Sequence, residues 1–578
     1  MKFRWTITPP QPLLARTLAA ALHVSPLLAQ CLLNRGLSEA AVMERFLTPR
    51  LRHLADPFLL PAMAPAVERL LRARELAEPV VIFGDYDVDG VTSTALLLEV
   101  LGRLGWSVNA YLPNRLDEGY GLSRDGVEHC LKKFPAKLLL AVDCGSTAVE
   151  TISWLKEHDV EVIVLDHHQV SSPAPQAVAL VNPHIAAADP RPAVPNFQEL
   201  CSVGLAFKLA HAILKRGRET GLPGASEFDL RTLLDLVALG TIADLVPLTG
   251  ENRILVSAGL RRLDATRRPG IVALKTVAQS PAMLGTYDVG FQLAPRLNAA
   301  GRLETAEEAL CLLRAETVDE AMPLARNLDA CNRERQKIEK TIVEKVIGGV
   351  RLKFDAQKDF VIVEGRLLWH IGVVGIVASR VLQEFYRPTL IIGGENGEMR
   401  GSGRSIAGFD LAAALRECDD LLLRHGGHAM AAGLSVLPGK IDELRERLNT
   451  IARRQLHPDD LQPPLRLDAE LGLAEIDIPA LAELEKLKPT GMGNPALQFC
   501  SRNLIHKKPL QRIGADKRHV KMWVTDGQVT HEAVWWNAGE GPLPTGRFDL
   551  AFAPALNEFN GRTTVQLKVL DWLACSAR

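Results

Sequence analysis

Asp85, Asp87 and Asp89 stand in a single turn at the end of the apolar run Val80 to Phe83. Three carboxylates this close repel one another and raise each other's pKa unless a divalent cation supplies the opposite charge. Their hard oxygen donors suit magnesium or manganese. The stretch after them, Gly90 to Leu98, reads as a helix whose N–H groups point back at the strand end and favour a phosphate there. Two further apolar runs end in similar chemistry: Leu138 to Val142 in Asp143 of AVDCG, and Val160 to Leu165 in Asp166, His167 and His168. A fourth acid, Asp244, lies inside the apolar LVALGTIADLVPL. An unpaired charge is costly there, and a metal is the natural partner. Each feature alone also fits a blander reading, an acidic surface turn or a hydrogen-bonded histidine. Three strand ends delivering carboxylate or imidazole to one edge outweigh it.

The elements that must position these groups follow from the pattern around them. Apolar strands alternate with amphipathic stretches from Val80 to Leu165, which argues for a parallel sheet with crossover helices, and ligands of such sheets collect beyond the carboxyl ends of the strands. Helix-spaced leucines from Leu13 to Leu60 read as a helical entry segment. Leu324, Leu328, Cys331, Ile338, Ile342 and Val346 recur at helical spacing and predict a connector from Pro323 to Ile347, with the proline in the first turn. A second lobe begins with the strand Phe360 to Val363 and returns with Thr389 to Ile392. Between them Gly372, Gly375 and Ala378 give a helix a small-residue face. Arg400 to Ser405, RGSGRS, is basic and short-side-chained, fit either for phosphate contacts or for a flexible hairpin turn. Beyond the Pro-rich link HPDDLQPPLRL, short alternating strands (Val520 to Val524, Val529 to Trp536, Leu550 to Pro554, Thr563 to Leu570) predict a small β-barrel. Trp523, Trp535, Trp536 and Phe559, with Lys507, Lys508, Lys517 and Arg518, are candidates to stack on bases or to fill its core.

Composition bounds the function. The chain has 578 residues, 47% of them hydrophobic, enough for about three or four domains. A net charge of −1 means that nucleic acid would be bound by local basic patches rather than a global field. Nine scattered cysteines without a CxxC pair fit reduced thiols, and no stretch approaches the ~20 apolar residues of a membrane span, so the expectation is a soluble, cytoplasmic protein that binds no membrane.

DYDVDG, AVDCG, the DHH triplet at Asp166 to His168 and the acid of IADLVPL resemble the successive motifs of the DHH phosphoesterases. LPNRLDEGYGL, FQLAPRLNAAGRL, WHIGVVGIVASR, RGSGRS and GGHAMAAGL are similar to the RecJ family within them, over nearly the whole chain. The resemblance implies an α/β fold: a helical segment (1–60), a DHH catalytic domain with a parallel sheet (61–316), a connecting helix (317–350), a second α/β lobe of the DHHA1 type that binds substrate (351–455) and a C-terminal OB-fold (456–578). It implies 5′-to-3′ hydrolysis of single-stranded DNA to 5′-mononucleotides with two Mn2+ or Mg2+ ions, in DNA recombination and repair, by a monomer with a helicase and a single-strand-binding protein as partners. Asp87 and Asp143 would hold one ion, and Asp89, Asp143, His167 and Asp244 the other. Asp85 either ligates or supports a ligand from behind. Other members of the superfamily place a histidine ahead of the DxD pair, whereas this chain has none between Leu54 and Asp87, which leaves Asp85 or water to replace it. His168 would contact the scissile phosphate or protonate the leaving oxygen, and Asp166 would orient the neighbouring imidazole. Arg115, Arg296, Asn298 and Arg302 would touch substrate phosphates, with salt bridges as the alternative for each arginine. RGSGRS and His428 of GGH would face the DNA, with Ser402 and Arg404, helped by Arg115, as the site of a terminal 5′ phosphate. Two alternatives compete: a DHH phosphodiesterase of very short oligonucleotides or cyclic dinucleotides, which has little use for the barrel, and an inactive replication scaffold, which has little use for an intact set of ligands.

Overall fold

Val80–Gly84, Leu138–Val142 and Glu161–Leu165 form the centre of a five-stranded parallel sheet, edged by Val108–Tyr111 on one side and Ala179–Val181 on the other. Apart from the exposed Glu161, the apolar runs are continuous because both faces are covered. Val80, Ile82, Leu140, Val142 and Ile163 join a core with the helices Met63–Glu75, Val88–Arg103, Ser202–Thr220 and Leu234–Ala243, while Val81, Phe83, Leu139, Ala141 and Val164 join a second core with Arg124–Lys133 and Val149–Glu157. The two edge strands carry no apolar run long enough to stand out in the sequence. The protein is seen in a computed structural model that describes residues 3–575 apart from 115–117, 120, 186–196, 304, 395–397, 540 and 560, and without the side chains of 303 and 559.

This sheet belongs to one of two compact units, made of Leu37–Asn332 and Lys486–Ala496. The short second piece is held by Arg253, which is only 1% exposed. Its guanidinium lies 3.7 Å from the centre of the Phe46 ring and donates to Phe46 O, Leu487 O, Pro489 O, Lys486 O and Lys488 O at 2.7 to 3.2 Å. Leu248 N–H donates to Met492 O at 2.7 Å, so the same piece also packs on the segment that follows Asp244. Arg253→Ala takes this donor from all five carbonyls, of which Leu487 O and Pro489 O keep Asn494 Nδ2 at 2.8 Å. The expected cost is at least about 2 kcal/mol of unfolding free energy, read by urea denaturation monitored by circular dichroism. An unchanged midpoint would show that water replaces the guanidinium freely.

The other unit comprises Met1–Gly36, Arg333–Glu485 and Leu497–Arg578. It contains a five-stranded sheet in the order Leu422–His428, Ala431–Val436, Met399–Arg404, Thr389–Gly393, Ile362–Gly365, and a closed barrel. The barrel closes because Phe499–Ile513 pairs with both His519–Thr525 and Phe548–Phe559, while Thr530–Trp535 and Arg562–Ala574 complete the ring. Phe499–Ile513, with its basic residues and central proline, did not read as a strand in the sequence.

Two expectations are corrected, and one of the two readings left open for RGSGRS is closed. The N-terminal segment is not only helical: Arg4–Ile7 is a strand parallel to Pro464–Leu467, and Trp5 Nε1 donates to Asp571 Oδ2 at 2.9 Å. The connector runs from Val318 to Lys353, with Pro323 inside it. Thr317 sets the earlier start, its Oγ1 accepting from Glu320 N–H at 3.2 Å. RGSGRS is no hairpin turn but part of the middle strand of its sheet, paired on both sides.

Candidate metal centre

Register explains why the acidic residues meet. Gly84, Val142 and Leu165 are level across the three central strands, and the ladder runs one residue further: Asp85 N–H donates to Val142 O, Asp143 N–H to Leu165 O and Asp166 N–H to Val181 O. Three acids therefore leave the sheet side by side. Asp85, Asp143 and Asp166 are buried, as is Asp89 in the helix that follows the first strand. Asp143 holds φ at +63°, a conformation that costs a non-glycine residue energy and is retained where the surroundings fix it.

The helix after the first strand begins at Val88, and its open N–H groups are already used. Asp87 is the N-cap, its Oδ1 accepting from Asp89 and Gly90 N–H at 2.9 and 3.1 Å, and Asn298 Oδ1 accepts from Val88 N–H at 3.1 Å. The phosphate expected at this N-terminus has no open turn to bind. Likewise, the first N–H groups of Ser202–Thr220 point at Asp89: Ser202 N–H donates to Oδ2 at 2.7 Å and Val203 N–H to Oδ1 at 2.8 Å. A carboxylate sits where a helix dipole would otherwise draw an anion. Ser202 Oγ donates to Asp143 Oδ1 at 2.8 Å. Gly240 permits the last approach, since a Cβ there would lie 2.4 Å from Thr92 Oγ1 and 3.1 Å from Asp89 Oδ1.

Asp89, Asp143 and Asp244 converge on His167. From its Nε2, Asp143 Oδ1 is 3.5 Å away, Asp244 Oδ2 3.6 Å and Asp89 Oδ2 3.9 Å. Neither His167 Nε2 nor Asp244 Oδ2 makes a hydrogen bond, although both atoms are buried. Orphaned polar atoms are costly, and donor atoms sharing one ion at ~2.1 Å sit roughly 3 to 4 Å apart, so the set fits a divalent cation. Asp85, Asp87 and Asp143 offer a second trio of oxygens within 4.8 Å of one another. Asp143 is common to both sets.

The two histidines are pushed in opposite directions. Burial, with the charge of His168 beside it, lowers His167 to about 4, which leaves a neutral imidazole able to ligate. Burial also lowers His168, but the hydrogen bond to Asp166 and the charges of Asp166, Asp244 and Asp85 outweigh it and raise it to about 9. Asp166 Oδ1 is 2.8 Å from His168 Nδ1 and accepts from the His168 backbone N–H at 3.1 Å, while Oδ2 accepts from Ser146 N–H at 3.0 Å. The imidazole that Asp166 orients is thus that of His168. Burial raises the Asp166 carboxyl, yet those bonds hold it well below the usual carboxylate range.

Other expected residues fare differently. Arg296 Nε donates to Asp329 Oδ1 at 2.9 Å and Nη1 to Gln292 O, so of the two readings the salt bridge is the one formed. Asn298 braces the acidic turn rather than presenting its oxygen outward. Arg302 is half-buried on Ala294–Leu303, and Arg115 lies outside the described residues, as does the Phe559 side chain. In the other unit, Ser402 and Arg404 share a strand, with Arg404 Nη1 donating to Ser402 Oγ at 3.0 Å, and His428 is exposed at the end of an edge strand. Sequence reasoning missed Ser202 and Cys201. The Cys201 thiol offers a ligand atom beside Asp89 and Asp244, but burial, then the charges of Asp89 and Asp244, push its pKa far up, against thiolate ligation. Also missed was a groove of about 670 Å³ lined by Lys337, Lys345, Trp369 and His370.

Known proteins match this arrangement along the whole chain. The DHH family N-terminal domain matches residues 79–241, the DHHA1 domain 358–454 and the RecJ OB domain 467–571. The single-stranded-DNA-specific exonuclease RecJ of Bacillus subtilis (strain 168) is 38% identical over 99% of this chain and 71% of its own length, and that of Escherichia coli (strain K12) 35% identical over 94% and 95%. The crystal structure of RecJ in complex with Mn2+ from Thermus thermophilus superposes with a TM-score of 0.84 at 30% identity, covering 100% of this chain and 80% of that one. With the strand-end acids, the DHH triplet and the barrel all present, the chain belongs to the RecJ family.

Proposed function

We propose that this chain is a metal-dependent exonuclease that hydrolyses single-stranded DNA from the 5′ end and releases 5′-mononucleotides. The observation that carries the reading is the buried, unbonded His167 Nε2 ringed by Asp89, Asp143 and Asp244. Asp89, Asp143, His167 and Asp244 would hold one Mn2+ or Mg2+ ion, and Asp85, Asp87 and Asp143 a second. Such ions, when bound, lower the pKa of the attacking water and neutralise charge on the phosphoryl oxygens. The chain's own groups do the rest. Ser202 and Val203 fix the Asp89 carboxylate, and Ser202 Oγ fixes Asp143. His168, cationic at neutral pH and held at Nδ1 by Asp166, has its Nε2 proton to give to the leaving 3′ oxygen. Digestion of end-labelled single and double strands, with manganese, magnesium or chelator, tests the reading. Cleavage undiminished by chelator, or equal digestion of blunt duplex, would overturn it. A cytoplasmic monomer acting in recombination and repair beside a helicase and a single-strand-binding protein completes the proposal, supported by the family and by the absence, among the described residues, of any single helix long and apolar enough to cross a membrane.

Proton linkage gives the metal site a pH signature. Burial, then the charges of Asp89 and Asp87, raises Asp244 to about 9, and burial with Asp87 raises Asp89 to about 7. Raised carboxyls hold protons in the metal-free protein, and a cation must displace them. Mn2+ affinity therefore climbs with pH, by at least ~10-fold between pH 6 and 8. Calorimetric titration in two buffers of different ionisation enthalpy reads the released protons, and a flat profile without proton release would contradict the assignment.

The barrel carries a separate expectation. Lys508 and Lys521 Nζ lie 5.2 and 5.3 Å from the centre of the half-buried Trp523 ring, whereas Trp536 is half exposed. Trp523→Ala should weaken binding of a long strand by about 1 to 3 kcal/mol, and Lys508→Ala should flatten the salt dependence by about 0.7 in log–log slope. Fluorescence anisotropy at several salt concentrations measures both. Substitutions are the right tool here, because truncation at Leu456 would also remove the carbonyls that Arg253 holds. Unchanged affinity would make the barrel structural.

A further inference from the structure

The helices Val88–Arg103 and Leu234–Ala243 pack together and bring Asp89 and Asp244 to the metal centre. Their opposite ends line a cavity of about 730 Å³ that the hydrolysis does not use. Glu99 and Arg103 enter it from the first helix and Asp235 from the second, roughly 15 to 20 Å along the helices from the acids at the site. Five arginines, Arg103, Arg262, Arg267, Arg268 and Arg314, meet three carboxylates there, an excess of cations in a protein whose net charge is −1.

The carboxylates do not satisfy the arginines. Glu99 takes Arg103 at 3.0 Å and Arg268 at 2.9 Å. Arg268 Nε lies 3.5 Å from Asp235 Oδ2, which already accepts from Thr266 Oγ1 at 2.8 Å. Arg262, Arg267 and Arg314 form no hydrogen bond or ion pair among the described residues. Among the lining residues, Arg262 Nε and Arg268 Nε are buried without a hydrogen bond. Buried donors left unmade and crowded like charges both oppose folding, and an anion would offset both. The helix Pro269–Ala278 starts at the rim and adds its positive end.

We propose that this cavity is a second anion site, which binds a phosphorylated small molecule of nucleotide size. Guanidinium forks match phosphate oxygens bidentately. Leu98, Pro269 and Ala315 supply apolar wall, and the volume exceeds what a bare phosphate fills but lies within the range of small-molecule pockets. A nucleic-acid strand fits less well. Its phosphates need cations spaced along a track, whereas these arginines converge on one cavity from the helices Val88–Arg103, Gly250–Asp264 and Glu307–Arg314 and from the turn before Pro269.

The test uses the full chain in chelator at ~150 mM salt, where exposed charges are screened over ~8 Å. Inorganic pyrophosphate and adenosine triphosphate are titrated calorimetrically against the unsubstituted protein, Asp143→Asn, and the double variant Arg262→Ala/Arg314→Ala. A dissociation constant below ~1 mM is expected, unchanged by Asp143→Asn and raised at least ~10-fold by the double variant, whose strand digestion stays within about twofold. Equal affinity for the two probes assigns the site to a phosphate group alone, and tighter triphosphate binding assigns it to a nucleotide. No binding, binding that survives the double variant, or displacement of the probe by an equimolar single-stranded oligonucleotide would overturn the proposal.

Discussion

Asp143→Ala lowers the rate of strand hydrolysis by about 10³-fold or more while leaving strand affinity within a few-fold. Its Oδ1 is 3.5 Å from His167 Nε2, and its carboxylate also completes the trio with Asp85 and Asp87, so one truncation removes a donor from both candidate ion sites. Strand affinity is expected to be kept because the contacts proposed for the barrel, at Trp523, Lys508 and Lys521, do not involve this side chain. Nor should the fold suffer. Burial and the charges of Asp89, Asp87 and Asp85 push the Asp143 carboxyl well up, so in metal-free protein its removal relieves a costly group. The metal-free melting temperature of Asp143→Ala is therefore expected at or above that of the parent, and the rise on adding Mn2+ is expected to shrink. His167→Ala should be as severe and non-additive with it, since ligands of one centre act as a unit. Independent, multiplying losses in single-turnover kinetics would separate the two residues and remove the shared centre.

What the sequence made legible was local. Val80 to Phe83, Leu138 to Val142 and Val162 to Leu165 are apolar throughout because both faces of the sheet are buried there, and the acid that follows each run had to lie at the same edge once the strands were parallel. Asp85, Asp143 and Asp166 could thus be brought together without coordinates. Groups fixed by distant parts of the chain could not. Asp571, which accepts from Trp5 566 residues earlier, leaves no trace in either segment. The carbonyls of residues 486–489 look like an ordinary Pro-containing loop until Arg253 is seen beneath them. Arg296 reads as a phosphate contact in its motif, but its partner Asp329 lies in another helix. One miss was a local signal read wrongly: Thr317 with Glu320 is a helix-start pair that outranks Pro323.

A strand with a 5′ phosphate is cut about 10²-fold faster, at limiting concentration, than the same strand with a 5′ hydroxyl, and Arg404→Ala erases most of that difference. None of the metal ligands specifies direction, so polarity requires a group that recognises one end. Arg404 suits that task in its own unit. It is half-buried on the strand Met399–Arg404, its Nη1 donates to Ser402 Oγ at 3.0 Å and Gly403 O at 2.8 Å, and no carboxylate among the described residues pairs with it. Burial lowers its pKa, as expected of a cation without a counter-ion, yet a guanidinium stays charged at neutral pH. Gly375 keeps the space beside it open: a Cβ there would stand 3.0 Å from Ser402 Oγ and 3.2 Å from Arg404 Nη2. Gly375→Val should therefore displace the guanidinium and copy Arg404→Ala. Two charge-assisted hydrogen bonds to a terminal phosphate account for the expected factor. The 5′-hydroxyl strand is the control. If Arg404→Ala slows both strands equally, the residue binds phosphate anywhere along the strand, and release of mononucleotides from the 3′ end first would reverse the assigned direction.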